Sequence, residues 1–236
     1  AWADCTTTQG TGMTTSSFTT VATTMAMNGY QYRCIIGNAQ YSSAATSNAA
    51  TLTVNKLDIT PTVSMTGYTY GGTKSEPSVE GNTGNGTVTY YYNTTNSNSG
   101  GTLWSTVTNS TSLNAGKYYM YAVIGATTNY NGATTATKAF TIAKANGYVN
   151  LSATTETAQY GTTSKTFTVT SHHGGTLSAA QTTSTGANVS ISGTTVTITS
   201  ISTLAAGTKI TVRVTSAATT NYNEAYKDYT LTIVAA

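Results

Sequence analysis

The hexapeptide ATTNYN occurs at residues 126–131 and again at 218–223, 92 residues apart. Ahead of each copy runs a strand-like segment introduced by a small-residue turn ending in glycine: SLNAGKYYMYAV around Gly116 and TLAAGTKITVRV around Gly207. A looser version, TMAMNGYQYRCII, surrounds Gly29, and closing strands follow in register, AATLTV to Val54, KAFTIA to Ala143 and YTLTIV to Val234. A period near ninety residues restricts the chain to a series of similar units, each burying its own apolar face. The expected organisation is residues 1–55, 56–144 and 145–236, with junctions near VNKLD and AKANG.

Within each unit the pattern has period two. QYRCIIGN, GTVTYYYN, KYYMYAVIG, KTFTVTS, NVSISGTTVTITS, KITVRVTS and DYTLTIV alternate as strands do, and GNTGNG, NSNSGG, HHGG and SGTT mark turns. Thr is about a quarter of the chain, Tyr outnumbers Phe 17 to 3, and only 2 prolines interrupt. These residues suit a half-buried pleated surface. The fold class predicted is all-β: three tandem immunoglobulin-like β-sandwich modules. The first, about fifty-five residues long, lacks its N-terminal strands, since a seven-strand sandwich takes roughly a hundred residues. Either the segment starts within a module, or it is a compact variant, or another subunit donates the absent strands.

Charged residues are only 7% of the chain, against roughly a quarter in an ordinary domain, so hydroxyls and amides must solvate the surface. The net charge of +3 is scattered, without the basic stripe of a nucleic-acid binder, so no nucleic-acid partner is expected. No apolar run of about eighteen residues exists, so no membrane span is expected. The first residue is Ala, and the chain is read as an exported, mature or excised piece of something longer.

NGYQYRCIIGNAQYSSAATSNAATLTV, residues 28–54, resembles the C-terminal half of bacterial immunoglobulin-like repeats in large secreted and cell-surface proteins. Tyr32 lies two residues before Cys34, the spacing of a tyrosine corner, whose hydroxyl bonds back to a nearby turn. Residues 56–143, with GYTYGG, GTVTYYY and TTNYNGA, are similar to the short tandem sandwiches of bacterial adhesins. QYGTTSKTFTVTS and AGTKITVRVTSAATTNYN resemble the bacterial group-2 immunoglobulin-like repeats of surface proteins and some phage virion proteins. The resemblance implies a structural segment of an adhesin stalk or fibre at the cell surface, or a phage decoration or tail module at the virion surface. Its partners would be neighbouring modules or other copies of itself. A carbohydrate-binding module is a third reading.

Chemistry has little to work with. The nearest carboxylates, Glu76 and Glu80 in SEPSVEGN, flank a proline and read as a solvated edge more simply than as a glycosidase pair. His172 and His173 are adjacent, so on a strand they face opposite ways, and the expected place is an exposed hairpin tip. GNTGNG lacks the lysine of a phosphate loop. No enzyme activity, metal or cofactor is expected. Cys5 and Cys34 either form one disulfide or remain a free thiol and a small buried residue. Trp104, Tyr90 and Tyr92 belong to the densest aromatic set, about half of which alternation sends to the core; cross-strand packing is the simpler reading, and a platform for a surface glycan or a subunit contact is the alternative. Lysine–asparagine self-crosslinks are conceivable from Lys56 with Asn129 or Asn131 and Glu80, or from Lys165 with Asn221 and Glu156.

Overall fold

A computed structural model describes residues 1–38 and 41–236. Apart from two one-turn 3-10 helices, at Met25–Met27 and Trp104–Thr106, every element is a strand. In chain order the first six are β1 (Gly10–Thr11), β2 (Thr19–Thr20), β3 (Gln31–Tyr32), β4 (Ile35–Asn38), β5 (Tyr41–Thr46) and β6 (Ala50–Thr51). Next come β7 (Thr62–Ser64), β8 (Tyr68–Thr69), β9 (Ser78–Glu80), β10 (Val88–Asn93), β11 (Thr102–Leu103), β12 (Gly116–Ile124), β13 (Ala133–Thr134) and β14 (Lys138–Ala143). The last eight are β15 (Val149–Leu151), β16 (Thr155–Gln159), β17 (Ser164–His172), β18 (Leu177–Gln181), β19 (Asn188–Ser192), β20 (Thr195–Thr199), β21 (Lys209–Ser216) and β22 (Ala225–Val234).

The last eight strands make two four-stranded sheets, in the orders β15-β17-β20-β19 and β16-β22-β21-β18. Lettered along the chain as A, A′, B, C, D, E, F and G, these are A-B-E-D and A′-G-F-C. That is the strand order of an immunoglobulin-like sandwich. Period-two burial explains how it closes: Ile210, Val212 and Val214 of β21 and Tyr229, Leu231 and Ile233 of β22 are all at most 1% exposed, while the residues between them stay partly wet. The register sets Val212 against Tyr229 and Ile210 against Leu231 on the inner face. Phe167 from the other sheet stacks on Tyr229 with ring centroids 3.9 Å apart. Burying each large side chain is worth about 1.5–3 kcal/mol, which makes this inner layer the main source of order here. On the outer face Arg213 forks onto Asp228 at 2.8 and 2.9 Å and lies 3.7 Å above the Tyr226 ring.

The chain divides into two compact units. One contains Ala1–Val63, Val79–Thr89 and Tyr121–Ala136, the other Ser64–Ser78, Tyr90–Met120 and Thr137–Ala236. In the second unit the middle repeat contributes strands in the order β11-β10-β12-β14-β8, with β14 parallel to β8 through Ile142↔Tyr68 and Ala143↔Thr69. The same G-beside-A′ relation recurs in the last sandwich, where β22 is parallel to β16 over five residue pairs. The first unit holds the two-stranded pairs β1-β2, β3-β6 and β4-β5. Among its described residues before Val63 no large apolar side chain is buried, and Ile35 and Ile36 are 54% and 68% exposed.

The tyrosine corner expected at Tyr32 does not form. Its buried hydroxyl has no hydrogen-bond partner, and the ring packs instead on Phe18, 5.4 Å between centroids.

Candidate functional site at the repeat junctions

The repeated hexapeptide has the same job in both places. At 126–131 the loop is closed by the Thr127 N–H donating to the Tyr130 carbonyl at 3.0 Å. At 218–223 the Thr219 N–H donates to the Tyr222 carbonyl at the same distance. Each closed loop then receives the linker that leads into its own repeat as a short parallel bridge, Leu57 beside Tyr130 and Ala145 beside Tyr222. Leu57 donates to the Asn129 carbonyl at 2.9 Å and accepts from Asn131 N–H at 2.8 Å, and Ala145 does likewise with Asn221 and Asn223 at 2.8 and 2.9 Å.

The lysine before each bridging residue completes the arrangement. Lys56 Nζ donates to the Thr127 carbonyl at 2.7 Å and Lys144 Nζ to the Thr219 carbonyl at 2.6 Å. A charged donor makes these stronger than neutral hydrogen bonds. A linker that would otherwise leave its backbone groups to water is thus paired on both sides of the bridging residue and clamped by a cation.

At the second junction the loop also reaches back to the preceding repeat, within the second compact unit. Asn221 Oδ1 accepts the Ala115 N–H at 2.8 Å, and its Nδ2 donates to Asn114 Oδ1 at 3.0 Å. The Tyr222 ring lies 5.7 Å from Tyr70, 6.4 Å from Tyr148 and 5.5 Å from His173, so it touches residues of both repeats. Gly147 permits this closeness, because a Cβ there would sit 2.1 Å from the Asn223 carbonyl oxygen.

His173 is therefore not at an exposed hairpin tip. It is 8% exposed, with Nδ1 3.0 Å from the Tyr148 N and 3.1 Å from its carbonyl oxygen, and Nε2 2.9 Å from the Ala217 carbonyl oxygen. Sequence reasoning missed it because its partners lie 25 and 44 residues away. The available signal was the Gly-Gly that follows, which lets the backbone of the 216–217 region approach.

Trp104 packs as a structural aromatic and does not form an open platform. It is 4% exposed, so its faces are not open to a sugar. Tyr92 and Phe140 meet it edge-on, 6.1 and 5.9 Å between centroids, and its Nε1 donates to Glu76 at 2.9 Å. Glu76 also pairs with Lys74 at 2.5 Å, and these two bonds, the lysine's first, hold its carboxyl below the usual carboxylate range. Tyr90 and Tyr92 are half-buried on β10. Burial pushes the Tyr90 hydroxyl up.

Cys5 and Cys34 are both free thiols, Cys5 half-buried and Cys34 exposed, so the disulfide is not formed, nor is Cys34 a core residue. Strand pairing directs Cys34 elsewhere: its N–H is held by the Ser47 hydroxyl and its carbonyl by the Ser47 N–H, each at 2.9 Å. The crosslink sets are not assembled either. Lys56 is occupied by Thr127 and Asn131 by Asp58, while Lys165 does pair with Glu156 at 2.7 Å but Asn221 binds the Ala115 turn. Among the described residues no group of three or more His, Cys, Asp or Glu is placed to hold a metal ion. Among the described residues no helix is long and apolar enough to cross a membrane. A hollow at Gln181–Ala187 is lined without any titratable side chain.

No protein-family model matches the chain, and no curated protein matches it. Solved structures do. The titin domains Z1Z2 in complex with telethonin are 14% identical over 77% of this chain and all of that one, with a TM-score of 0.35. The S-layer protein rSbsC(31–844) is 15% identical over 80% of this chain, which spans 30% of its length, at 0.32. Dscam1 isoform 9.44, its N-terminal four Ig domains, is 12% identical over 87% of this chain and 55% of that one, at 0.30.

Proposed function

We propose that the chain is a structural repeat segment of an extracellular bacterial surface protein, an adhesin stalk or fibre, whose work is to hold successive immunoglobulin-like modules, residues 56–144 and 145–236, in fixed succession. The observation that carries this is the junction: the same lysine, the same parallel bridge and the same TTNYN loop clamp the linker at Lys56–Leu57 and at Lys144–Ala145. A spacer transmits position only if its linkers do not bend freely, and two clamps of one design at one period serve that end.

Trypsin tests the clamp directly, since it cuts after lysine. Native full-length chain should resist cleavage after Lys56 and Lys144 far longer than after denaturation. Cleavage there at the rate of an unfolded peptide defeats the reading.

The exposed Ile35 and Ile36 on the two-stranded pair β4-β5 favour a second element of the proposal: that this leading segment is completed by a strand of another copy. Sedimentation of the full chain across a wide dilution range should show association that Ile36→Asp abolishes. A strictly monomeric chain at all concentrations removes this element and leaves the clamp reading intact.

A further inference from the structure

Tyr70 and the turn Asn114-Ala115-Gly116 form the surface on which Asn221 and Tyr222 dock. The last sandwich builds the same surface again. Tyr160 follows β16 as Tyr70 follows β8, and each donates its N–H to the final residue of the parallel last strand, Tyr160 to Val234 at 2.8 Å and Tyr70 to Ala143 at 2.9 Å. The next residue is a glycine with positive φ in both, 74° at Gly71 and 89° at Gly161. Gly116 pairs with Ile142 across the strand ladder, and Gly207 donates to Ile233 at 2.8 Å, so Ala205-Ala206-Gly207 is the counterpart of Asn114-Ala115-Gly116.

The two surfaces differ in exposure. Tyr70 and Ala115 are half-buried where the Asn-Tyr-Asn loop covers them, whereas Tyr160 is 54% exposed and Ala206 is exposed. We propose that Tyr160 and the turn Ala205–Gly207 form a docking site for a further immunoglobulin-like repeat presenting an Asn-Tyr-Asn loop. This rests on the junction reading above and names the partner that the far surface takes. An incoming tyrosine would pack edge-on against Tyr160, as Tyr222 does against Tyr70, and an incoming asparagine would accept the Ala206 N–H, as Asn221 accepts that of Ala115. Ala205 replaces Asn114, so the second side-chain bond is not available and the contact rests on one backbone hydrogen bond and one ring pair.

Amide exchange tests this on the full chain. In an extended chain, Ala236 is followed by a second copy of residues 146–236, and Ala235→Lys restores the linker lysine. Exchange at Ala206 should slow about tenfold, as expected for a neutral hydrogen bond newly formed. Replacing the appended copy's counterpart of Asn221 with alanine should reverse it. Unchanged exchange at Ala206 overturns the proposal. A second measurement does not depend on the appended copy folding: Asn114→Ala gives the existing turn the Ala-Ala-Gly sequence of the far one. If Ala115 stays protected there, that turn suffices as a receptor; if it does not, the proposal fails. Asn221→Ala in the unextended chain separates the two readings. Loss of Ala115 protection upholds the existing junction whatever happens at Ala206, and no change at Ala115 removes the junction reading itself.

Discussion

Asn221 accepts the backbone N–H of Ala115 at 2.8 Å across 106 residues of sequence, with its amide nitrogen on Asn114. Truncation to alanine therefore strands the Ala115 donor, which water reaches only partly, while the exposed Asn114 amide turns to solvent. Asn221→Ala is predicted to lower stability by about 1–2 kcal/mol, seen as a reduced denaturation midpoint. Asn221→Asp should restore the acceptor but not the donor and fall between. A midpoint unchanged by Asn221→Ala would mean that the bond adds nothing to what Tyr222 already holds.

Alkaline pH should weaken the last sandwich. Burial first, then the Glu156 carboxylate, push the Tyr229 hydroxyl far above a tyrosine's ordinary range. The unfolded chain gives up this proton near pH 10 while the folded chain keeps it. The stabilisation from a neutral Tyr229 is thus complete below pH 10 and is lost progressively as pH rises above it. Tyr68 and Tyr118 are raised in the same direction, also chiefly by burial, so the middle repeat should weaken over the same range. Tyr229→Phe is predicted to flatten the decline above pH 10. The Tyr229 hydroxyl has no partner within hydrogen-bonding geometry and only the Glu156 carboxylate beside it, so the same change should alter neutral-pH stability by no more than about 1 kcal/mol in either direction. Denaturant midpoints at pH 7 and pH 11 for both chains decide this.

These two residues mark what was legible in advance. KITVRVTS and DYTLTIV announce β21 and β22 because burial alternates strictly along them, and period two needs no knowledge of partners. The ATTNYN repeat announced a shared element, but not that it clamps a linker, since the linker residues Lys56 and Lys144 lie 71 and 75 residues upstream. The choice between packing and platform at Trp104 stayed open for a related reason. Its own segment, GGTLWST, is polar and glycine-rich, and of the rings that bury it Tyr92 comes from the neighbouring strand β10 but Phe140 from β14, which only the fold brings near. The Tyr32 spacing failed as a signal because two residues of separation fix a direction, not the presence of a turn to receive the hydroxyl.

Trp104 should behave as a core residue. Trp104→Ala is predicted to cost about 3–5 kcal/mol, the range for emptying a buried aromatic site. Trp104→Phe keeps most of the packing but leaves Glu76 without its indole donor, and should cost less. The measurement is equilibrium unfolding of both variants. If instead Trp104→Ala keeps wild-type stability while abolishing retention on a glycan column, the platform reading is restored and the burial of this ring is irrelevant to its role.

Force applied between the chain ends should separate the repeats by the length of their parallel clamps. When the first and last strands of a sandwich run parallel as neighbours, pulling the ends apart loads all their hydrogen bonds together in shear, whereas strands peeled from one end break them singly. The β16–β22 clamp has five residue pairs and is prolonged by Tyr160; the β8–β14 clamp has two, prolonged by Tyr70. The last sandwich is therefore predicted to be the last event in single-molecule extension and the one at highest force, with a release of roughly 30 nm at about 3.5 Å per residue. Proline scanning checks the cause. Thr154 accepts from Thr230 and Tyr160 donates to Val234, and alternate residues of a parallel strand bond to the same neighbour, so Ala158 faces β22 and Thr157 does not. Ala158→Pro should lower the peak force sharply and Thr157→Pro much less. Equal effects, or a highest-force event that maps to the middle repeat, would show that resistance lies somewhere other than this pair of strands.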